Sequence, residues 1–337
     1  MQSSHSSNSS VAGRSFKSAN KLPHKLLSPF RLMLRLFVGF AISLAYGVLC
    51  VGILWYFHGQ PEAQRFFEAY TISFRTIISL GAILGTALLV YRAQHVIPET
   101  IEAAFQGHLS EDYHYYKRRF WSPRITAEFS GEMIVWSFVV FVYCQFPLSN
   151  LGQGLMNTAV CAEFALAAYV GRKIMYTGMM LHSLLPLSVK RNLFRERELD
   201  AINPYVHVAS TLTIIWVYLH VTGYYGGPFK YQSWFGHSIR LFLLLPAILA
   251  VPVLLIFNFY PRAVLRKLYS QSIDFEIKRV KKALRNASLS PYEKRSYLIE
   301  LDKMSRDELR YSLQLSLSDI PIGITILIMV IQAVLSK

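Results

Sequence analysis

The sequence predicts an all-α protein: a polytopic bundle of about seven transmembrane helices, with a cytoplasmic helical hairpin before the last one. Three observations carry this. The 337 residues are 53% apolar and only 16% charged, with a mean hydropathy of +0.31, whereas soluble domains carry about 25% charge. Seven apolar stretches approach the roughly 20 residues needed to cross the ~30 Å hydrocarbon core. The loops between them are alternately rich in Lys and Arg and nearly free of them.

The spans are expected at about Leu36–Phe57, Thr71–Tyr91, Glu132–Phe146, Leu155–Val170, Val206–Val221, Ile239–Phe259 and Ile320–Leu335. Basic residues retained on the cytoplasmic side fix orientation. The segments 1–35, 92–130, 171–205 and 260–318 together hold 30 Lys and Arg. Their counterparts, 58–70, 147–154, 222–238 and the tail, hold 3. The N-terminus is therefore expected inside and the C-terminus outside. A bacterial inner membrane, with anionic headgroups at its cytoplasmic face, is the expected location. The apolar stretch Ile174–Leu187 is short for a span. It is expected to emerge from the fourth helix and lie along the cytoplasmic interface.

Four regions follow from this partition. Residues 1–30 form a Ser-rich basic tail, with eight serines in the first twenty residues. Such a composition buries too little surface to fold and is expected to be disordered. No cleavage pattern follows the first apolar run, so it reads as a retained helix. Residues 31–260 hold six spans, 261–318 the hairpin and 319–337 the seventh span.

The hairpin is read from periodicity. Ile273, Ile277, Val280 and Leu284 recur at helical spacing, and Lys278, Arg279, Lys281, Lys282 and Arg285 fill the other positions. Asn286–Ser290 reads as a turn. Ser290-Pro291-Tyr292-Glu293 then fits a capping box ahead of a helix running to about Ser318, with Leu298, Leu301, Met304, Leu309, Leu313 and Leu317 on its apolar side. Ser-Pro or Asn-Pro pairs also stand at Ser28-Pro29, Ser122-Pro123 and Asn203-Pro204. They read either as a repeated hairpin unit or as ordinary helix starts.

Charges inside apolar spans are costly and mark bundle interiors or water-filled paths. Glu163 lies near the middle of the fourth span. Arg75 and Arg240 lie about one turn inside the outer ends of the second and sixth. Glu163 with Arg75, and less readily Arg240, would serve as a pore or transport path, or as a structural pair. Gly81 and Gly85 form the four-residue small pair of close helix contacts. Pro246 and Pro252 lie inside the sixth span, where proline removes a backbone donor.

His207 and His220 stand thirteen residues apart on the fifth span, about 20 Å along a helix. That spacing would suit two stacked haems if another span carried a matching pair. None does, so interfacial histidines and no cofactor are expected. Cys50, Cys144 and Cys161 all fall in apolar spans and have no metal-ligand spacing. Glu196, Glu198 and Asp200 alternate with Arg195 and Arg197, which makes a solvated charged strip rather than a metal site. An enzyme is not expected.

The leading expectation is a transporter or pore-forming subunit for an ion or small solute. The alternative is a non-enzymatic anchor or assembly subunit recruiting a cytoplasmic partner through 261–318. A homo-oligomer or membrane-complex partner is expected in either case. Nucleic acid is not, because topology already accounts for the basic residues.

Overall fold

The computed structural model describes residues 29–71, 75–105, 109–121, 130–135, 138, 151–188, 199, 202–209, 211–212, 216, 237–285 and 290–317, with backbone only over 75–76, 237–258 and 307–317. The predicted tail, most of the third span and the whole seventh span lie outside these residues. Among the described residues all regular structure is helical, so the all-α class stands. The helices are α1 (Pro29–His58), α2 (Gln60–Thr71), α3 (Arg75–Phe105), α4 (Glu111–Phe120), α5 (Leu151–His182), α6 (Leu185–Ser188), α7 (His237–Leu284) and α8 (Pro291–Leu317). Residues 130–135 and 202–209 are also helical.

Among the described residues, two helices are long and apolar enough to cross a bilayer: Phe30–His58 of α1 and Ile77–Ala103 of α3. Proline at the first position of α1 suits a helix start, where no intrahelical N–H is needed. After His58 the chain turns on Gly59, whose φ of +80° is a left-handed conformation that glycine adopts freely.

The segment after that turn, expected as an outer loop, is helix α2. Ala63, Phe66 and Tyr70 recur at helical spacing and are buried against α1. Tyr70 donates its hydroxyl to the Ser43 carbonyl (2.8 Å) and lies 3.0 Å from Ser43 Oγ. Its ring fills the space where a Cβ on Gly47 would stand. α3 then runs back along α1, antiparallel to it. Gly81 packs on Phe40, and Gly85 packs on Leu36. A Cβ on Gly39 would meet the Gly81 carbonyl oxygen and stand 2.9 Å from the Gly85 nitrogen. The expected small pair is thus the place where two backbones meet.

Three helices outrun the spans assigned to them. α3 continues past Tyr91 to Phe105 with Ala93, Ile97, Ile101 and Phe105 buried. α5 runs for 32 residues, about 48 Å. Its second half contains most of the stretch expected to lie along the membrane surface. Instead Ile174, Met180, Leu181, Leu184 and Leu185 are buried by protein. The close contact of Gly178 with Tyr260 and Pro261 sets α5 directly on α7. α7 is continuous over 48 residues, about 72 Å, through Pro246, Pro252 and Pro261.

The boundary at 260 therefore falls inside a helix. Val264, Leu265, Leu268, Tyr269 and Ile273 belong to the main core, so the first hairpin helix is a wall of the bundle rather than a free stalk. α8 packs against α7. Its capping box is formed: the Ser290 N–H and hydroxyl both donate to Glu293 Oε2 (2.8 Å each), and the Glu293 N–H donates back to Ser290 Oγ (3.3 Å).

Candidate functional site

Glu163 is the centre of the site. It lies midway along α5 and is only 1% exposed. Its two oxygens face two different partners. Ser79 of α3 donates to Oε1 (3.0 Å), and the Trp216 indole N–H donates to Oε2 (3.1 Å). The Trp216 ring stands edge-on to Phe164 at 5.8 Å, which fixes the indole over the carboxylate. A buried carboxylate is tolerated only when its lone pairs are occupied, and both oxygens here accept charge-assisted bonds. Small neighbours such as Ala159, Ala162 and Ala165 allow the adjoining helices to come close.

The helix bearing Ser79 begins at Arg75, one turn earlier. Ser79 thus stands at the level of Glu163. Tyr70 and Ile77 flank the same level, and both pack with Ala159 of α5. On the other side, Tyr46 donates to the Leu155 carbonyl (2.6 Å). The carboxylate thus sits where α1, α2, α3, α5 and the segment bearing Trp216 converge.

The polar lining continues along α5. Gln94 Nε2 donates to the Tyr169 hydroxyl (2.5 Å). Lys173, fully buried, donates to the Arg119 carbonyl (3.0 Å) and lies 5.4 Å from the centre of the Tyr169 ring. Thr177 closes its hydroxyl onto the Lys173 carbonyl (3.1 Å). Glu163, Tyr169, Lys173 and Thr177 therefore form a polar seam inside an apolar bundle.

Sequence reasoning located Glu163 but not its partners. Ser79, Trp216, Gln94 and Lys173 read as ordinary span or interface residues, and only tertiary packing brings them together. Arg75 starts α3, and Arg240 lies in the first turn of α7. Their side chains fall outside the described residues. The expected pairing of Arg75 with Glu163 therefore lies outside the described residues, and Ser79, one turn further on, donates to that carboxylate. His207 is engaged by Arg262, whose guanidinium donates to Nδ1. His220, the other histidine of the haem reading, lies outside the described residues.

Comparison with known proteins returns no match, whether to a family model, a curated protein or a solved structure.

Proposed function

We propose that this chain is a multi-pass membrane protein that moves an ion or a small solute, with Glu163 as the charged group of its path. α1 and α3 would belong to a bundle of about seven spans, N-terminus inside and C-terminus outside. The burial of Glu163 carries this reading. A carboxylate enclosed midway along α5 and held by Ser79 and Trp216 resembles the way intramembrane sites keep a charge among a few polar side chains. Arg75 and Arg240 would contribute positive charge along the same path.

The test is solute and ion flux in vesicles reconstituted with the purified full-length protein. Glu163→Gln keeps the acceptor oxygen and the side-chain volume while removing the charge. The expected outcome is loss of most of the wild-type flux. Wild-type flux in the Gln variant removes Glu163 from the path.

A second reading has its own observation. On α8, Tyr292, Leu298 and Ile299 are 83%, 55% and 62% exposed. The hairpin would then be a docking surface in an anchor or assembly subunit. Because 261–280 is part of the core, the appropriate test is Leu298→Ser with Ile299→Ser rather than deletion. Absence of flux in the wild type, together with loss of a co-purifying partner in this double variant, selects the second reading.

A further inference from the structure

α4 carries a cleft of about 200 Å³ lined by His114, Lys117, Arg118 and Trp121. These four stand at i, i+3, i+4 and i+7, which places them on one side of the helix. α4 itself is firmly held. Ser110 caps its start by accepting from the Tyr113 N–H (3.2 Å). Tyr113 and Phe120 are fully buried, one at each end. Lys173 of α5 grips the last turn through the Arg119 carbonyl. The cleft is therefore carried by a fixed element.

Its chemistry is that of an anion site with an apolar wall. Arg118 uses Nε to bond the His114 carbonyl (3.3 Å). Its two terminal nitrogens take no partner among the described residues, so the guanidinium fork is braced and open. Lys117 is paired with Glu102, which tempers its charge but leaves ammonium protons for a further acceptor. Glu102 and the carbonyl end of α4 oppose an anion, so Arg118 must supply most of the attraction. Trp121, 43% exposed, places aromatic surface at the end of the helix.

The depth of this cleft identifies the ligand. Lys173 neighbours Arg172, which pairs with Glu132 (2.7 Å). In the orientation proposed above, on which this step rests, these are the first charges beyond the inner end of the fourth span. α4 therefore lies at the level of the cytoplasmic headgroups, where exposed Trp and Tyr settle and basic clusters meet anionic lipid. We propose that His114, Lys117, Arg118 and Trp121 form a binding site for the phosphate of an anionic membrane lipid. Arg118 would take the phosphate oxygens in its fork, Lys117 would add a point charge, and Trp121 would cover the glycerol and upper acyl chain.

The experiment is a calorimetric titration of the full-length protein in neutral detergent with short-chain phosphatidylglycerol, phosphatidylcholine or inorganic phosphate. Saturable binding of phosphatidylglycerol is expected, weakening as salt is raised, with little binding of phosphatidylcholine. Arg118→Gln should weaken it roughly tenfold without changing the melting temperature, because that side chain is exposed. Trp121→Ala should also weaken binding, and that loss should persist in high salt. Unchanged binding in the Arg118 variant, or equal binding of phosphatidylcholine, overturns the proposal. Displacement by inorganic phosphate at concentrations equal to the lipid assigns the site to a soluble phosphate ester and overturns the lipid assignment. Glu163→Gln should bind phosphatidylglycerol as the wild type does, so failure of this site and failure of the transport reading are separable.

Discussion

α1 and α3 pass the same test of length and apolarity yet live in opposite surroundings. Only 22% of the most apolar window of α1 is buried, against 67% for α3. Phe30, Met33, Phe37, Leu44 and Val48 of α1 are all exposed, as are Trp55, Tyr56 and Phe57 at its far end. Soluble monomers rarely expose contiguous apolar patches beyond a few hundred Å². A stripe running the length of a helix needs an apolar medium to cover it. α3, in contrast, turns Leu80, Ile83, Leu89, Val90 and Ile97 into protein. Hydropathy detects both helices. Burial separates the helix whose apolar face lies open from the one whose apolar face is already packed.

The strongest attempt to break this comparison is a charge placed on each helix. Leu44→Arg introduces a cation at an exposed position of α1. If lipid covers it, the cost is about 2.5–3.5 kcal/mol near the bilayer centre, read as lost insertion or a lowered melting temperature in vesicles. A water-facing α1 would accept the same change almost freely. Ile83→Arg on α3 buries a charge in protein and should be destabilising in either medium. Equal tolerance of Leu44→Arg and a conservative Leu44→Met would remove the case for lipid around α1.

The next attempt separates the two helices. The Gly39 contact with Gly81 and Gly85 leaves no room for a side chain. Gly39→Leu should cost about 1–3 kcal/mol or more by overpacking, visible as a lower midpoint in thermal unfolding. Gly52, which has open space around it, is the control on the same helix. Gly52→Leu should leave the midpoint unchanged or raise it slightly, because leucine is the better helix former.

A third variant addresses the buried side of α3. Glu163→Ala strands the Ser79 hydroxyl and the Trp216 indole, at about 1–3 kcal/mol for the buried donors left unmet. Glu163→Gln keeps an acceptor and should cost less. The difference in melting temperature between the two variants measures the hydrogen bonds apart from the charge. If Gln destabilises as much as Ala, Ser79 and Trp216 are not what holds the carboxylate in place.

The sequence made some of this legible and hid the rest for physical reasons. Local features came through: the capping box at Ser290, the glycine pair on α3, and the stripe of Ile273, Ile277, Val280 and Leu284 on α7. Each depends on neighbours three or four residues away. Helix ends did not come through. Hydropathy falls after Tyr91, Val170 and Phe259 as Arg92, Arg172 and Arg262 enter, yet the helices continue because one side of each is packed against protein. α2 was missed because its average composition is polar, although Ala63, Phe66 and Tyr70 carried the period. Glu163 could be singled out by its cost alone. Its partners could not, since Ser79 lies 84 and Trp216 53 residues away along the chain.

α8 sharpens the comparison from its other end. It is as exposed as α1 over its first half but polar, so water rather than lipid should cover it. The Glu293 carboxyl reports which medium is present. Its affinity for a proton is held below the ordinary carboxylate value, first by the Ser290 hydroxyl and then by the Ser290 N–H. A depressed value means the ionised form is the one that caps the helix. The contribution of the cap is therefore complete above the ordinary carboxylate range and is lost as pH falls through the lower, folded value. Amide exchange in the first turn of α8 should accelerate in that acid window, relative to the intrinsic rate at each pH, and the acceleration should shrink in Ser290→Ala, which keeps only the backbone N–H to Glu293. Because a carboxylate titrates this way only in contact with water, a first turn whose exchange ignores the acid window would place α8 out of water and undo the contrast with α1.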